Sequence, residues 1–276
     1  MNPAKKLVLD FFDAAVADIG ATNDFVATDL VQHGSGLPGT ASALPEFIRR
    51  ASGAGKAELL DPVFVIAEND LVTTCYYLPQ PDPRHPGSTY QYYSFDTYRV
   101  RDGRIAEHWP SSDKAAPPLR IPDPGVARWA AADLSPEPHD LAAGKRLVLE
   151  FCRRVFDAHD PDAVAEFLAE DYRQHASHAL PGRDGVAQFV RDTFPGGPIP
   201  APAEISVPPS VVVAEADLVV IAGLLPQPEP GLGGTTYPYY VYDAYRVRGG
   251  MLAEHWSGVN IAAPPVHGPE IVKEQG

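Results

Sequence analysis

Two aspartate–histidine couples with the same spacing are the residues most capable of chemistry. Asp96 precedes His108 by twelve positions, and Asp243 precedes His255 by the same number. Between them lie Asp102-Gly103 and Gly249-Gly250, dipeptides that favour a two-residue hairpin turn. Side chains alternate along a strand, and antiparallel pairing across such a turn can bring His108 beside Asp96 and His255 beside Asp243. An Asp hydrogen-bonded to a His fixes the imidazole tautomer and supports proton transfer near neutral pH. Burial would raise the Asp unless the His is charged. The same couple can equally be a satisfied buried contact that holds a hairpin together. Alternation also places Tyr90, Tyr92 and Tyr98 on the face of Asp96, and Tyr237, Tyr239 and Tyr245 on the face of Asp243. These tyrosines offer stacking surface and hydroxyl donors to a small oxygenated ligand. His33 and His175 are expected after a second helix, at the mouth of the same pocket, in either a functional or a capping role. His33, Asp96 and His108 together have the donor types for a divalent ion. Nothing in the spacing selects a metal, and neither a metal nor another cofactor is expected.

The elements that must position these groups are legible in outline. Leu7, Leu9, Phe11, Phe12 and Val16, and again Leu147, Leu149, Phe151, Val155 and Phe156, recur at helical spacing. Asp160-Pro161 predicts a second helix with an Asp cap, burying Val164, Phe167 and Leu168. A third helix is predicted around Leu44, Phe47 and Ile48, and around Val186, Phe189 and Val190. The rest reads as strands. Val63–Glu68 and Leu71–Tyr77 join at Asn69-Asp70, and Tyr90–Arg101 joins Arg104–Trp109. The fold class is therefore α+β, with N-terminal helices packed on one face of a curved, mostly antiparallel sheet.

Every one of these signals occurs twice. Ala4–Phe11 returns at Gly144–Phe151, Gln32-His33 at Gln174-His175, Leu37-Pro38-Gly39 at Leu180-Pro181-Gly182, and Leu78–Pro81 at Leu225–Pro228. Thr89–Trp109 aligns without gaps to Thr236–Trp256, with 14 identities in 21 positions. The chain is two tandem domains, copy one at 1–118 and copy two at 141–276. A Pro/Ala/Asp-rich linker of residues 119–140 joins them, with Trp129 expected to dock on a domain surface. His178 belongs to copy two alone, in a loop one residue longer than its counterpart.

Bulk composition narrows the partners. The 276 residues carry a net charge of −14 and no Lys/Arg run, which argues against nucleic acid. No apolar stretch approaches the roughly 20 residues of a membrane helix, and the N-terminus lacks a signal-peptide core, so a cytoplasmic location is expected. Cys75 and Cys152 have no metal spacing and read as buried thiols.

The helix, the Asp-x-x-Gln-His segment (Asp29–His33; Asp171–His175), the Pro-Gly turn and the final hairpin Asp-x-Tyr-Arg-Val…Glu-His-Trp together resemble the SnoaL-like polyketide cyclase family of the nuclear-transport-factor-like superfamily. The resemblance covers about 115 residues of each half. It implies cone-shaped α+β barrels around a small-molecule pocket, paired through their sheets by Tyr93, Phe95, Tyr240 and Tyr242. Fused in tandem, the copies would form that pair within one chain, as an intramolecular pseudo-dimer that is monomeric in solution. The family's cyclases carry an acid–base Asp just after the last strand, where this chain has Pro110 and Ser257. A different carboxylate, Asp96 or Asp243, faces the pocket. Three functions follow as expectations. The first is a cofactor-independent lyase, isomerase or cyclase acting on an oxygenated, polyketide-like compound, with copy two the active half. The others are a non-catalytic ligand binder and an interaction scaffold.

Overall fold

The computed structural model describes residues 1–35, 43–45, 61–120 and 139–268. Leu37-Pro38-Gly39, Phe47, Ile48, Trp129 and most of the linker lie outside the described residues.

Copy one begins with α1 (Pro3–Ala17), whose first amides are capped by the Asn2 side chain, with Pro3 in the first turn. A 3-10 turn over Ile19–Asp24 leads into β1 (Val26–Gln32). Then follow β2 (Phe64–Glu68), β3 (Leu71–Tyr77), the two-residue strands β4 (Gln80–Pro81) and β5 (Thr89–Tyr90), β6 (Tyr93–Arg101) and β7 (Arg104–Pro110). Copy two repeats the plan with α2 (Leu141–Phe151), a π-helical turn at Cys152–Asp157, α3 (Val164–Phe167), β8 (Leu168–Gln174) and α4 (Gly182–Thr193). Its remaining strands are β9 (Pro209–Glu215), β10 (Leu218–Leu224), β11 (Gln227–Pro228), β12 (Thr236–Tyr237), β13 (Tyr240–Arg248) and β14 (Met251–Ser257).

The two sheets have one topology, β1-β7-β6-β3-β2 and β8-β14-β13-β10-β9. Among the described residues, only the β1–β7 and β14–β8 pairs are parallel. Asp102 and Gly103, and Gly249 and Gly250, all take positive φ at the expected turns. Three features differ from the sequence reading. The Asp-x-x-Gln segments, expected only as following a second helix, lie in the strands β1 and β8. The helix expected from Pro161 is a single turn, which Asp160 caps from a distance by accepting from the amides of Asp162 and Ala163. The strand expected from Tyr90 to Arg101 is interrupted at Gln91 and Tyr92, so those tyrosines do not all share one face.

Each sheet buries one face under its own helices. In copy one, Val8, Phe11, Phe12 and Ala15 of α1 pack on Val26, Val72, Tyr98 and Ile105. In copy two, Val148, Phe151, Val155 and Phe167 pack on Val219, Tyr245 and Leu252. The opposite faces meet each other. Phe64, Ile66, Cys75, Tyr93, Phe95 and Trp109 form one continuous core with Val211, Val213, Val220, Tyr240, Tyr242 and Trp256. Phe95 and Tyr242 stack at 5.4 Å across the junction. The contact is close to two-fold: Lys5 bonds Glu215 at 3.0 Å, and the matching Lys145 bonds Glu68 at 2.5 Å. Each of those glutamates also accepts a backbone amide of the other half, Ala67 for Glu215 and Ala214 for Glu68. The chain is an intramolecular pseudo-dimer.

The pairing is two-fold in shape but not in chemistry. The Tyr242 hydroxyl meets Thr97 at 3.0 Å and donates to the Trp109 carbonyl at 2.8 Å, while Thr97 also bonds Thr73 at 2.8 Å. The matching positions, Phe95 facing Val220 and Ala244, are apolar. Each face therefore suits the other copy better than itself, because self-pairing of copy two would bury the Tyr242 hydroxyl without its threonine.

Candidate functional site

Asp96 and Asp243 sit on the cone faces of β6 and β13, opposite Pro110 and Ser257 and diagonal to His108 and His255, two residues away along the neighbouring strands. Bulges at Ala106 and Ala253, where the register shifts, re-aim the last strands so that both histidines point into the cones. His108 Nε2 lies 2.8 Å from Asp96 Oδ1, and His255 Nε2 lies 2.8 Å from Asp243 Oδ1. Tyr98 stacks on His108 at 4.8 Å and Tyr245 on His255 at 4.6 Å. The central couple and one tyrosine of each predicted set are therefore brought together.

A residue whose role the sequence reading missed completes the couple. Gln174 Oε1 lies 2.8 Å from His255 Nδ1, and the Gln32 side chain makes the equivalent contact to His108 at 2.9 Å. In copy two the amide of Ala176 also donates to Gln174 Oε1 at 3.2 Å, which fixes the oxygen toward the ring. His255 Nδ1 must then donate. The 2.8 Å contact on its other side therefore holds a further proton shared between Nε2 and Asp243. The pair is a built proton store with its tautomer set from behind.

The copies diverge around this store. In copy one, burial pushes the Asp96 carboxyl above its ordinary value, and the His108 bond and charge only partly oppose it. In copy two, burial pushes Asp243 up as well, but the bond and charge of His255, the nearby His178 and a hydrogen bond from Ser257 together hold it below its ordinary value. Pro110 stands where Ser257 does and has no donor to offer. The Asp243 side chain is 27% exposed and that of Asp96 only 9%, so the copy-two carboxylate is the more exposed of the two. In copy one, Phe12 packs edge-on against Tyr98, the ring stacked on His108, at 5.6 Å and against Tyr76 at 6.4 Å. The matching residues of copy two are Cys152 and Gly223. Cys152 lines the cone within electrostatic reach of Asp243, and Val207 rests against Gly223, 3.1 Å from where a Cβ would stand. The π-helical turn beginning at Cys152 has no counterpart in α1. Such turns recur at functional sites.

His33 and His175 do not join the cones. His33 bonds Glu107 at 2.7 Å and stacks on Trp109 at 4.2 Å, while His175 bonds Glu254 at 2.9 Å and stacks on Trp256 at 4.8 Å. Both lie on the sheet face turned toward the other copy, because Gln32 and Gln174 take the inward positions and successive side chains alternate. The set His33, Asp96 and His108 is thus split between two faces. Among the described residues, no three His, Cys, Asp or Glu side chains are grouped to hold a metal ion.

Three tyrosines expected to line the cones, Tyr90, Tyr92 and Tyr237, serve the junction between copies. Tyr90 donates to Asn260 of copy two at 2.5 Å, and Tyr237 donates to Asp113 of copy one at 2.6 Å. Tyr92 packs with Tyr90 beneath Ile261 and Ala262 of copy two. Tyr239 is fully buried and contacts the Gly258 carbonyl at 3.4 Å. Each half's last strand thus runs on into a segment that closes over the other half. His178, by contrast, is in place. Its ring is 6.3 Å from His255 and 5.3 Å from Phe189, and its Nδ1 is buried with no hydrogen-bond partner.

These shifts predict a pH dependence of stability. Asp243 and Glu254, whose carboxyl is lowered first by its His175 bond, have folded values below their unfolded ones. Their contributions are present above the ordinary carboxylate range and are lost as pH falls through the folded values. Asp96 has the opposite sign: its folded value is raised, so its contribution is present at low pH and lost as pH rises through that value. Urea midpoints followed from pH 7 to pH 2 are expected to fall less for Asp243→Asn than for wild type, and more for Asp96→Asn. Parallel curves for all three would show that the two carboxyls do not differ as described.

Residues 148–255 match the family model for the SnoaL-like domain. No curated protein sequence matches the chain. Among solved structures the chain is similar to TsrD from Streptomyces laurentii, with 20% identity and TM-score 0.30 over 44% of this chain and 90% of that one. It is similar to an LEH-like epoxide hydrolase of M. tuberculosis, with 17% identity and TM-score 0.30 over 43% and 84%. It is also similar to a de novo designed protein with a curved β-sheet, with 15% identity and TM-score 0.33 over 45% and 89%. No helix among the described residues is long and apolar enough to cross a membrane.

Proposed function

With a SnoaL-like domain at residues 148–255, we propose that the copy-two cone is a working acid–base site for a neutral, oxygenated, hydrophobic small molecule of polyketide-like character. The reaction class is a lyase, isomerase or cyclase step. Such a step moves a proton between atoms of one substrate and needs no redox partner. Asp243 takes or returns the proton, His255 shares it and is held by Gln174, and Tyr245 stacks behind the imidazole. Burial keeps the Tyr245 and Tyr172 hydroxyls protonated, so both remain donors. The observation that carries this reading is the exposure of the Asp243 carboxylate beside a couple that already stores a proton. Because each sheet face is covered by the other copy, the chain is expected to work as a monomer.

A second reading draws on copy one. There the same couple is kept, with the Asp96 side chain only 9% exposed. A couple retained in such a place acts as a brace between β6 and β7, and the copy-two couple can do the same. A thermal-shift screen of aromatic, polyketide-like and terpenoid compounds separates the two. A binding compound is expected to raise the melting temperature of wild type and Asp96→Asn equally, to raise that of Asp243→Asn by much less, and to be turned over only while Asp243 is present. Identical behaviour of the two Asn variants would favour the brace in both copies and sink the catalytic reading.

A further inference from the structure

Copy one retains the proton store but covers it, so its contribution lies elsewhere. The loop after β8, Ala176–Pro181, carries His178 and is one residue longer than its counterpart. It is held by the other half of the molecule. Ser177 Oγ donates to the Gln91 carbonyl at 3.0 Å and accepts from the Gln91 amide at 3.1 Å. Gln91 lies in the interruption between β5 and β6, where its backbone groups are released from strand pairing. Arg84 adds a contact from its Nη1 to the Ser177 carbonyl at 3.4 Å. Arg84 is itself held in a fork by Asp82, with contacts of 3.1 and 3.2 Å from its side chain and 2.8 Å from its own amide. The arrangement is one-sided. The position matching Arg84 is Gly231, and Glu229, which matches Asp82, is tied instead to Lys114 of copy one.

The residue next to the anchored serine is His178. Phe189 flanks its ring, and its Nδ1 is buried and unpartnered. Leaving such an atom unsatisfied costs free energy, so the ring needs an outside constraint to stay where it is. The groups facing it are His255 and Asp243. Burial first, then the charge of His255, bring His178 down to about 4, with Asp243 opposing. At neutral pH the ring is uncharged.

We infer that copy one is a positioning half: through Gln91 and the Asp82–Arg84 fork it anchors Ser177 and thereby holds His178, with a free ring nitrogen, at the mouth of the copy-two cone. This rests on the reading of that cone as the working site. It adds that the site is incomplete without the other copy. Ser177 and Arg84 are positioning residues, and His178 is the group they deliver, suited to a neutral hydroxyl or carbonyl oxygen rather than to an anion.

The test uses the full chain, without ligand, labelled with nitrogen-15 at histidine. The His178 ring signal is assigned by its loss in His178→Gln. In wild type His178 is expected to stay neutral down to about pH 4. In Ser177→Ala its titration is expected to move toward the ordinary value of about 6.5, and amide exchange of the loop to quicken by about tenfold or more. Ser177→Thr keeps the hydroxyl and should restore both. Ser35→Ala, at the matching position of copy one, should change neither. Arg84→Ala removes a largely exposed side chain, cannot unfold the protein, and should give a smaller shift of the same sign. A His178 titration identical in wild type, Ser177→Ala and Arg84→Ala would overturn the inference, as would a wild-type His178 titrating near 6.5. If the latch behaves as stated while Asp243→Asn binds and turns over ligand like wild type, only the catalytic reading of the cone falls.

Discussion

Replacing Arg246 with alanine is expected to destabilise the protein by about 3–5 kcal/mol, the range for breaking a buried ion pair from one side. Its counterpart Arg99→Ala should cost about 1 kcal/mol or less, as for exposed pairs. The two arginines occupy matching positions with matching partners. Arg246 reaches Asp217 and, at 2.9 Å, Glu254; Arg99 reaches Asp70 at 2.8 Å and Glu107 at 2.9 Å. Both guanidinium groups also lie over a tryptophan, at 5.9 Å from Trp256 and 5.6 Å from Trp109. What separates them is water. The side chains of Arg246 and Asp217 are 13% and 8% exposed, against 33% and 47% for Arg99 and Asp70. Without Arg246, Asp217 and Glu254 lose the cation between them in a poorly solvated place. Without Arg99, Asp70 turns to solvent. Urea unfolding at neutral pH gives both numbers on one chain. Equal losses would mean that burial does not set the worth of these pairs.

That contrast marks the boundary of what the sequence can reveal. The pairing of β13 with β14 was readable from the turn at Gly249-Gly250, but regular alternation from that turn would set His255 opposite Ala244, and it is the bulge at Ala253 that turns it to the side of Asp243. The sheet-to-sheet pairing through Tyr93, Phe95, Tyr240 and Tyr242 was an expectation of the family resemblance, and the duplication supplied both sheets in one chain. The strands β1 and β8 were not readable. Their parallel pairing is irregular, with a shift between Val26 and Val31 and another between Leu252 and Glu254. Two consecutive residues on each, Thr28-Asp29 and Glu170-Asp171, face solvent, so alternation is broken. A one-residue slip exchanges the two faces of a strand, and here it sends Gln32 and Gln174 inward and His33 and His175 outward. Tyr90 and Tyr237 were misplaced for another reason. Their hydroxyls are claimed by Asn260 and Asp113, each more than a hundred residues away in the other copy, and no local pattern records such a contact. Ser257 was read only as a missing aspartate, yet its hydroxyl is part of what holds Asp243 low. Cys152 was read as an ordinary buried thiol, and only its alignment with Phe12 gives it meaning.

Phe12 and Cys152 therefore support the second large prediction. Phe12→Ala is expected to cost about 3–5 kcal/mol, as for other buried aromatic truncations, since the ring is 2% exposed and touches Phe11, Tyr76 and Tyr98. Cys152→Ala, at the matching position, removes one partly buried sulfur and should cost about 1 kcal/mol. The reverse exchange is more telling. Cys152→Phe places in copy two the ring that already fills copy one, on a helix whose neighbouring Phe151 has the same role as Phe11. If the copy-two cone is open beside Asp243, the new ring settles over the carboxylate at a cost below about 1–3 kcal/mol, the usual penalty of overpacking. Any compound that stabilises the wild type should then fail to stabilise the variant. A loss well beyond that range would mean that copy two has no room for a ring, and hence none for a ligand of that size. The duplication makes this decisive, because copy one already shows what the cone looks like when filled. There the filled cone has Asp96 covered and raised. A ring at position 152 that converts Asp243 to the same state, raising its titration, would show that the open cone, and not the Asp–His couple alone, sets the chemistry of copy two.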